Sequence, residues 1–107
     1  MRDKVDGLDE KLVLRIVDSI LKYKKPEKIM VFGSRAGEDF LKTSDVDIAI
    51  FGKDWTDKDI NIVRHSLNET IKTPLKFDVL NYYHIEKTSL KNNILTAGKV
   101  IYGGREN

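Results

Sequence analysis

Two acidic residues separated by a single valine, Asp45 and Asp47, have the clearest capacity for chemistry in this 107-residue sequence. Alternate side chains of a β-strand share a face, so the two carboxylates lie on one side with Cα atoms about 7 Å apart. Neighbouring carboxylates repel each other and lose hydration at the start of a buried strand, and a divalent cation offsets both penalties. Oxygen ligands without histidine or cysteine nearby favour magnesium or manganese. The pair therefore predicts a site for Mg²⁺ or Mn²⁺.

A third acid, Asp78, interrupts the apolar segment 77–80. A carboxylate in such a strand needs a partner, either a metal ion or a neighbouring lysine such as Lys76. If its strand lies beside that of Asp45 and Asp47, the three acids cluster around two metal ions about 3.5–4 Å apart, which clamp a phosphoryl or nucleotidyl displacement. Asp78 would then also be placed to take a proton from an attacking hydroxyl group.

The pair Gly33-Ser34 precedes Asp45 by ten intervening residues, 35–44. A glycine where the chain leaves a strand lets backbone N–H groups approach phosphate oxygens, and a helix beginning there would favour the anion further. Ser34 adds a hydroxyl donor, and Arg35 can add a positive charge. Together with the acids, this spacing predicts a site that holds a nucleoside triphosphate through divalent metal ions.

Hydrophobic periodicity predicts the elements that must position these residues. Apolar residues at three-to-four spacing indicate helices, and short apolar runs bounded by glycine or proline indicate strands. Thr56 with Asp59 resembles a capping box, and Gly98 is placed as the C′ residue of the last helix. The predicted order is a helix at 9–24, a strand at 28–32, a loop or short helix at 34–44, a strand at 46–51, a helix from Thr56 to about 71, a strand at 76–80, a helix at 85–97 and an edge strand at 100–102.

Size and composition restrict the class of protein. The length predicts one domain over 1–107 with its core at about 9–102. The 19 basic and 17 acidic residues are interspersed, so the net charge of +2 gives little support to nucleic-acid binding. The absence of cysteine excludes thiolate chemistry, and no run approaches the roughly 20 apolar residues that span a bilayer. We therefore expect a cytoplasmic protein that does not insert into membranes.

The motif Gly33-Ser34, ten residues, Asp45-Val46-Asp47, with Asp78 on a later strand, resembles that of the DNA polymerase β-like nucleotidyltransferase superfamily. Similarity to its minimal nucleotidyltransferase (MNT) branch extends over about 28–102, including the segments VFGSRA, TSDVDIAI and GKVIY. The resemblance implies an α/β fold with a small mixed sheet flanked by helices. One departure is Glu38, where members of the family usually have the loop glycine; here Gly37 comes one residue earlier.

The resemblance also implies roles for individual residues. Asp45 and Asp47 would be metal ligands, and Asp78 would be the third ligand and the base. Residues around the triphosphate would be Gly33 and Ser34 at the β- and γ-phosphates, with Arg35 and Ser44 supporting the nucleotide-binding loop. The implied enzyme is a nucleotidyltransferase, specifically an adenylyltransferase that uses ATP, or another nucleoside triphosphate, with Mg²⁺ or Mn²⁺.

Minimal members of this family lack an acceptor-binding domain, which implies a separate, small, all-helical partner. In the family, such a partner is a substrate-binding subunit or a HEPN-domain toxin, which in known cases is neutralised by adenylylation of a tyrosine. The segments around Trp55 and Asp78 favour the two-component enzymes with a substrate-binding subunit. Two alternatives remain: a non-catalytic antitoxin that blocks its toxin by binding, and an O-nucleotidyltransferase for small molecules such as aminoglycosides.

Several other residues are assigned to packing or to the surface. His65 and His84 are interpreted as solvated residues. For the four aromatic residues that could frame a nucleobase, packing in the core or at an interface is the preferred interpretation; they are Phe40, Trp55, Tyr82 and Tyr83.

Overall fold

The computed structural model describes residues 8–32 and 45–103. The elements in these ranges are α1 (Glu10–Tyr23), β1 (Lys28–Phe32), β2 (Val46–Phe51), α2 (Asp57–Thr70), β3 (Phe77–Asn81), a 3₁₀ turn (Tyr82–His84), α3 (Thr88–Ala97) and β4 (Lys99–Gly103). The predicted helices and strands in these ranges are therefore all present. The predicted loop or short helix at 34–44 lies outside the described residues.

The four strands form one mixed sheet in the order β3-β2-β1-β4. β1 runs antiparallel to both β2 and β4, whereas β2 and β3 are parallel. A parallel pair needs a crossover connection, and α2 provides it between β2 and β3. The predicted α/β class with a small mixed sheet is confirmed, and β4 lies at an edge as expected.

The two faces of the sheet bury different cores because side chains alternate along each strand. Val46, Ile48 and Ile50 of β2 face a large core shared with α1 and α2. Ala49 and Phe51 belong instead to a smaller core that includes Ile94 of α3. Asp47 has the same alternation as Ala49 and Phe51, so it lies on the face of this smaller core.

Helix α2 begins with the capping box that the sequence predicts. The Thr56 hydroxyl accepts a hydrogen bond from the Asp59 N–H, and the Asp59 carboxylate accepts one from the Thr56 N–H. Asp59 also accepts hydrogen bonds from the Tyr23 hydroxyl and the Lys24 ammonium group, which lie at the end of α1. The Asp59 carboxylate therefore caps the N-terminus of α2 and also links α2 to the end of α1 by hydrogen bonds.

Three predicted details differ from the structure. β3 lies one residue later than predicted, at Phe77–Asn81, and α3 begins at Thr88 rather than at 85. The intervening chain turns because the Asn81 side chain accepts a hydrogen bond from the Tyr83 N–H, which begins the 3₁₀ turn. Gly98 is an extended C-cap and not a left-handed C′ residue; a Cβ there would lie 2.5 Å from the Ile94 carbonyl oxygen.

Candidate functional site

The end of β1 and the beginnings of β2 and β3 meet along one line across the sheet. Asp47 is the register partner of Phe32 on one side and of Asp78 on the other. In-register residues on neighbouring strands share a face, so the two aspartates lie side by side on the face of the smaller core. The conditional prediction that the strands of Asp47 and Asp78 are neighbours is thus correct.

Burial and like charges raise the pKa of Asp47. The largest cause is desolvation of this half-buried carboxylate, followed by the negative charges of Asp78 and Asp45. Asp45 is exposed and stands directly before β2. A divalent cation at Asp47 would oppose all three effects, because it restores favourable interactions to the ionised carboxylate.

Asp78 is held by an arginine and not by the lysine that the sequence offered as an alternative. Its Oδ1 atom accepts a hydrogen bond from Arg64 Nε at 3.2 Å and another from the Val79 N–H at 2.9 Å. The side chain of Asp78 is 66% exposed. The partner of Asp78 is therefore Arg64 and not the alternative Lys76, because α2 brings a cation 14 positions away in sequence to this strand.

The donor chemistry at this end of the sheet fits a hard divalent cation. Asp47 and Asp78 offer carboxylate oxygens on adjacent strands, with the charge of Asp45 close enough to affect Asp47. Within 8–32 and 45–103, however, no three histidine, cysteine, aspartate or glutamate side chains are arranged to hold a metal ion. The described part of the chain thus supplies two adjacent carboxylates, with one oxygen of Asp78 already engaged by Arg64.

Two functional candidates on α2, Arg64 and Asn68, were missed by sequence reasoning. Asn68 donates to the Phe77 carbonyl and accepts from the Phe77 N–H, while Arg64 Nη2 donates to the Val79 carbonyl. Each polar residue directly follows a buried apolar residue of the helix, Val63 or Leu67. Arg64 and Asn68 are four positions apart, so they lie on one side of the apolar stripe of α2. This spacing could have identified them as neighbours on the helix, but it does not identify the strand that they contact.

The remaining predicted residues fall into three groups. Trp55 is 1% exposed and packs in the large core, which confirms its interpretation as a packing residue. Tyr82 stacks on Phe51 with ring centroids 4.3 Å apart. His84 lies 3.3 Å from Asp57 in an exposed pair, and His65 is also exposed. Five predicted residues lie outside the described ranges: Gly33, Ser34, Arg35, Phe40 and Ser44.

Comparison with known proteins places the chain in a family. Residues 15–107 match the family described as polymerase beta, nucleotidyltransferase. The chain belongs to this polymerase β nucleotidyltransferase family and is therefore a nucleotidyltransferase, which confirms the resemblance drawn from the motif. No curated protein matches the chain significantly.

Solved structures share the fold. One is a tri-AMPylated HEPN toxin of Shewanella oneidensis in complex with an MNT antitoxin, with 19% identity, a TM-score of 0.71, and 90% of this chain and 73% of that chain covered. A toxin–antitoxin structure with AMP-PNP has 25% identity and a TM-score of 0.68, with 92% and 76% covered. A proposed nucleotidyltransferase from Sulfolobus solfataricus has 23% identity and a TM-score of 0.56, with 88% and 79% covered.

The helices within the described residues also bear on membrane association. None of them combines the length and the apolar character that crossing a bilayer requires.

Proposed function

We propose that this chain transfers AMP from Mg-ATP to a hydroxyl group of a helical partner protein, or of a substrate that such a partner binds. The observation that carries the proposal is the register of Asp47 beside Asp78, on neighbouring parallel strands and on one face. Nucleotidyl transfer needs carboxylates at such a position, where they can hold divalent ions against a triphosphate.

Asp45, Asp47 and Asp78 would hold the metal ions, and Gly33, Ser34, Arg35 and Ser44 would hold the nucleotide. A bound Mg²⁺ polarises the phosphoryl oxygens and stabilises the charge that develops during displacement. The nucleotide-binding roles follow from the sequence motif. Support for Asp47 comes from its raised pKa, since a carboxylate crowded by two others is stabilised by a cation.

In the proposed reaction, the acceptor hydroxyl oxygen forms a bond to the α-phosphorus of ATP. The bond between that phosphorus and the oxygen bridging to the β-phosphate breaks, and pyrophosphate leaves with the bonding electrons. The hydroxyl proton passes to Asp78, whose Oδ1 is occupied by two donors and whose Oδ2 is the oxygen left to accept it.

A partner of the toxin type is supported by the solved structures that share this fold. They include the tri-AMPylated HEPN toxin with its MNT antitoxin and the toxin–antitoxin structure with AMP-PNP. We therefore favour a HEPN-type partner over the substrate-binding subunit suggested by sequence resemblance. The acceptor on such a partner would be an exposed hydroxyl side chain.

The direct test uses ATP labelled at the α-phosphate, magnesium and a purified helical protein of the HEPN type as the candidate partner. Label should appear on the partner or its bound substrate, and should be absent when ATP is labelled at the γ-phosphate. Asp47→Asn should abolish transfer, whereas the matched variant Asp18→Asn, at an exposed position of α1, should retain it. Absence of transfer from wild-type protein under all conditions would refute the proposal.

A second candidate function is neutralisation of a HEPN-type toxin by binding alone. The ion pair between Asp78 and Arg64 favours it, because a cation of the chain itself already offsets part of the negative charge that a metal ion would neutralise. The variant carrying both Asp45→Ala and Asp47→Ala distinguishes the two candidates. Full neutralisation by this variant supports the binding function, and loss of neutralisation with retained partner binding supports catalysis.

A further inference from the structure

We propose that Arg64 is a positioning residue for Asp78, which fixes one oxygen of the carboxylate and leaves the other for the metal ion and the acceptor. This inference rests on the proposed function of Asp78. It assigns a role to a residue of α2 that lies outside the family motif.

Asp78 Oδ1 has both of its hydrogen-bonding positions occupied. Arg64 Nε–H donates to it at 3.2 Å, and the Val79 N–H donates at 2.9 Å. A carboxylate oxygen has about two lone-pair positions, so Oδ1 is saturated. Oδ2 is thereby the oxygen directed to chemistry, and rotation of the carboxylate would break both hydrogen bonds.

Arg64 is itself fixed at three points. Besides Nε on Asp78, its Nη1 donates to Asn61 Oδ1 and its Nη2 donates to the Val79 carbonyl oxygen. The guanidinium group is planar and its donors have a fixed geometry, so three simultaneous acceptors define its orientation. A lysine at this position would keep the charge but would lose the fixed arrangement of several N–H donors.

The contacts with α2 also satisfy outward-facing backbone groups of the edge strand β3. Within the described ranges, β2 is the one strand that pairs with β3, and the outward backbone groups of β3 need other partners. The amide of Asn68, one helical turn after Arg64, satisfies both the N–H and the carbonyl of Phe77. The residues on either side of Asp78 are therefore fixed. Asn68 binds the backbone of Phe77, Arg64 binds the Val79 carbonyl, and the Asp78 carboxylate accepts the Val79 N–H.

This backbone support makes a test of Arg64 possible without loss of the fold. In an Arg64 variant, the Asn68 bonds to Phe77 and the parallel pairing of β2 with β3 remain. The carboxylate of Asp78 would lose its charged donor, Arg64, while Asp78 stayed at the same place on the strand.

An opposing role for Arg64 makes a prediction of opposite sign. If Arg64 competes with the metal for Asp78, its removal strengthens metal binding. If Arg64 positions Asp78, its removal weakens metal binding, as loss of an outer-shell partner typically does by about 10- to 100-fold.

The experiment measures Mn²⁺ affinity of the free protein by electron paramagnetic resonance for wild type, Arg64→Met and Arg64→Lys. We expect affinity about 10-fold weaker in Arg64→Met, with a smaller loss in Arg64→Lys. Arg15→Met, at an exposed position of α1, is the matched control and should bind Mn²⁺ as wild type does. Circular dichroism and thermal unfolding establish that each variant is folded.

In the transfer assay, at a magnesium concentration that saturates the variant, Arg64→Met should lower kcat by about 10-fold or more while changing the KM for ATP little. Unchanged or tighter Mn²⁺ binding by folded Arg64→Met overturns the proposal, as does absence of Mn²⁺ binding by wild type. If wild type binds Mn²⁺ but transfers no label, the proposed function fails, and the Mn²⁺ affinities still decide the role of Arg64.

Discussion

Two aspartates of this protein, Asp59 and Asp47, stand in opposite electrostatic surroundings. Donors surround Asp59: hydrogen bonds from Tyr23, from the Thr56 N–H and from Lys24 lower its pKa. Asp47 has its pKa raised by burial and by the charges of Asp78 and Asp45. The same side chain is stabilised as an anion at one site and destabilised as an anion at the other.

Under the proposed function, this difference separates a structural carboxylate, Asp59, from a metal-binding one, Asp47. Asp59 satisfies a helix terminus and links two helices, so the protein itself supplies all its partners. Among the described residues, Asp47 meets burial and two like charges in place of such donors, and the proposed metal ion would stabilise its ionised form. Strain of this kind at an active site lowers the stability of the protein without its ligand, and ligand binding restores it.

The largest effect should come from removing the charge of Asp47. Asp47→Asn is expected to reduce label transfer about a thousandfold or more, because metal stabilisation of the transition state contributes several kcal/mol. The same change removes a carboxylate that repels two others, so the metal-free variant should melt at the same temperature as wild type or slightly above it. Transfer rates and thermal unfolding in EDTA measure both quantities; a marked fall in melting temperature would contradict the comparison.

Asp59→Asn should show the reverse pattern. The variant loses the charge that accepts hydrogen bonds from Tyr23 and Lys24, so its melting temperature should fall clearly. Mn²⁺ affinity should remain that of wild type, because Asp59 lies in the contact between α1 and α2 and not at the β2–β3 end. Thermal unfolding and Mn²⁺ titration of the same sample test this, and weakened Mn²⁺ binding would argue against separate roles.

Acid unfolding should distinguish the two carboxylates by the sign of their contributions. The pKa of Asp59 is lowered on folding, so its stabilisation is complete above its unfolded pKa of about 4 and declines below it. The pKa of Asp47 is raised, so its protonation favours the folded state as the pH falls towards about 4. Stability should therefore depend less steeply on acidic pH in Asp59→Asn and more steeply in Asp47→Asn, as measured by urea unfolding between neutral pH and the acid transition.

A smaller effect is expected at Tyr83, which donates a hydrogen bond to Glu27 Oε1 at 2.6 Å. This bond is the main cause that raises the pKa of Tyr83 to about 12. Its stabilisation is present below the unfolded pKa of about 10 and is lost as the pH rises towards 12. Stability should therefore fall slightly less steeply with rising alkaline pH in Tyr83→Phe than in wild type, as measured by urea unfolding. The same pH dependence in both proteins would show that this hydrogen bond contributes nothing to stability.

Local sequence patterns were sufficient for most of the fold. The apolar spacing of α1, the Thr56–Asp59 capping box and the short strands at 28–32 and 46–51 depend on nearby residues, and the structure agrees with each. The start of α3 was misplaced because the Asn81 side chain, which also donates to the Gly52 and Trp55 carbonyls, ends β3 and begins a 3₁₀ turn. That network depends on residues nearly 30 positions apart.

The candidate site shows the same limit. Alternation along a strand predicted that acids at 45 and 47 share a side, but it did not show which cation would meet Asp78. The contact with Arg64 arises because α2, which connects β2 to β3, packs along β3. Such a pairing depends on tertiary packing, and the local sequence offered Lys76 as the nearer candidate.

The most direct test of the site at Asp47 and Asp78 is ATP binding by calorimetry with and without magnesium, in wild type and Asp47→Asn. We predict that wild type binds ATP with magnesium, and that binding is lost with EDTA and greatly weakened in Asp47→Asn. Equal ATP binding by wild type with magnesium, by wild type with EDTA and by Asp47→Asn would contradict a nucleotide site held together by metal ions at these carboxylates.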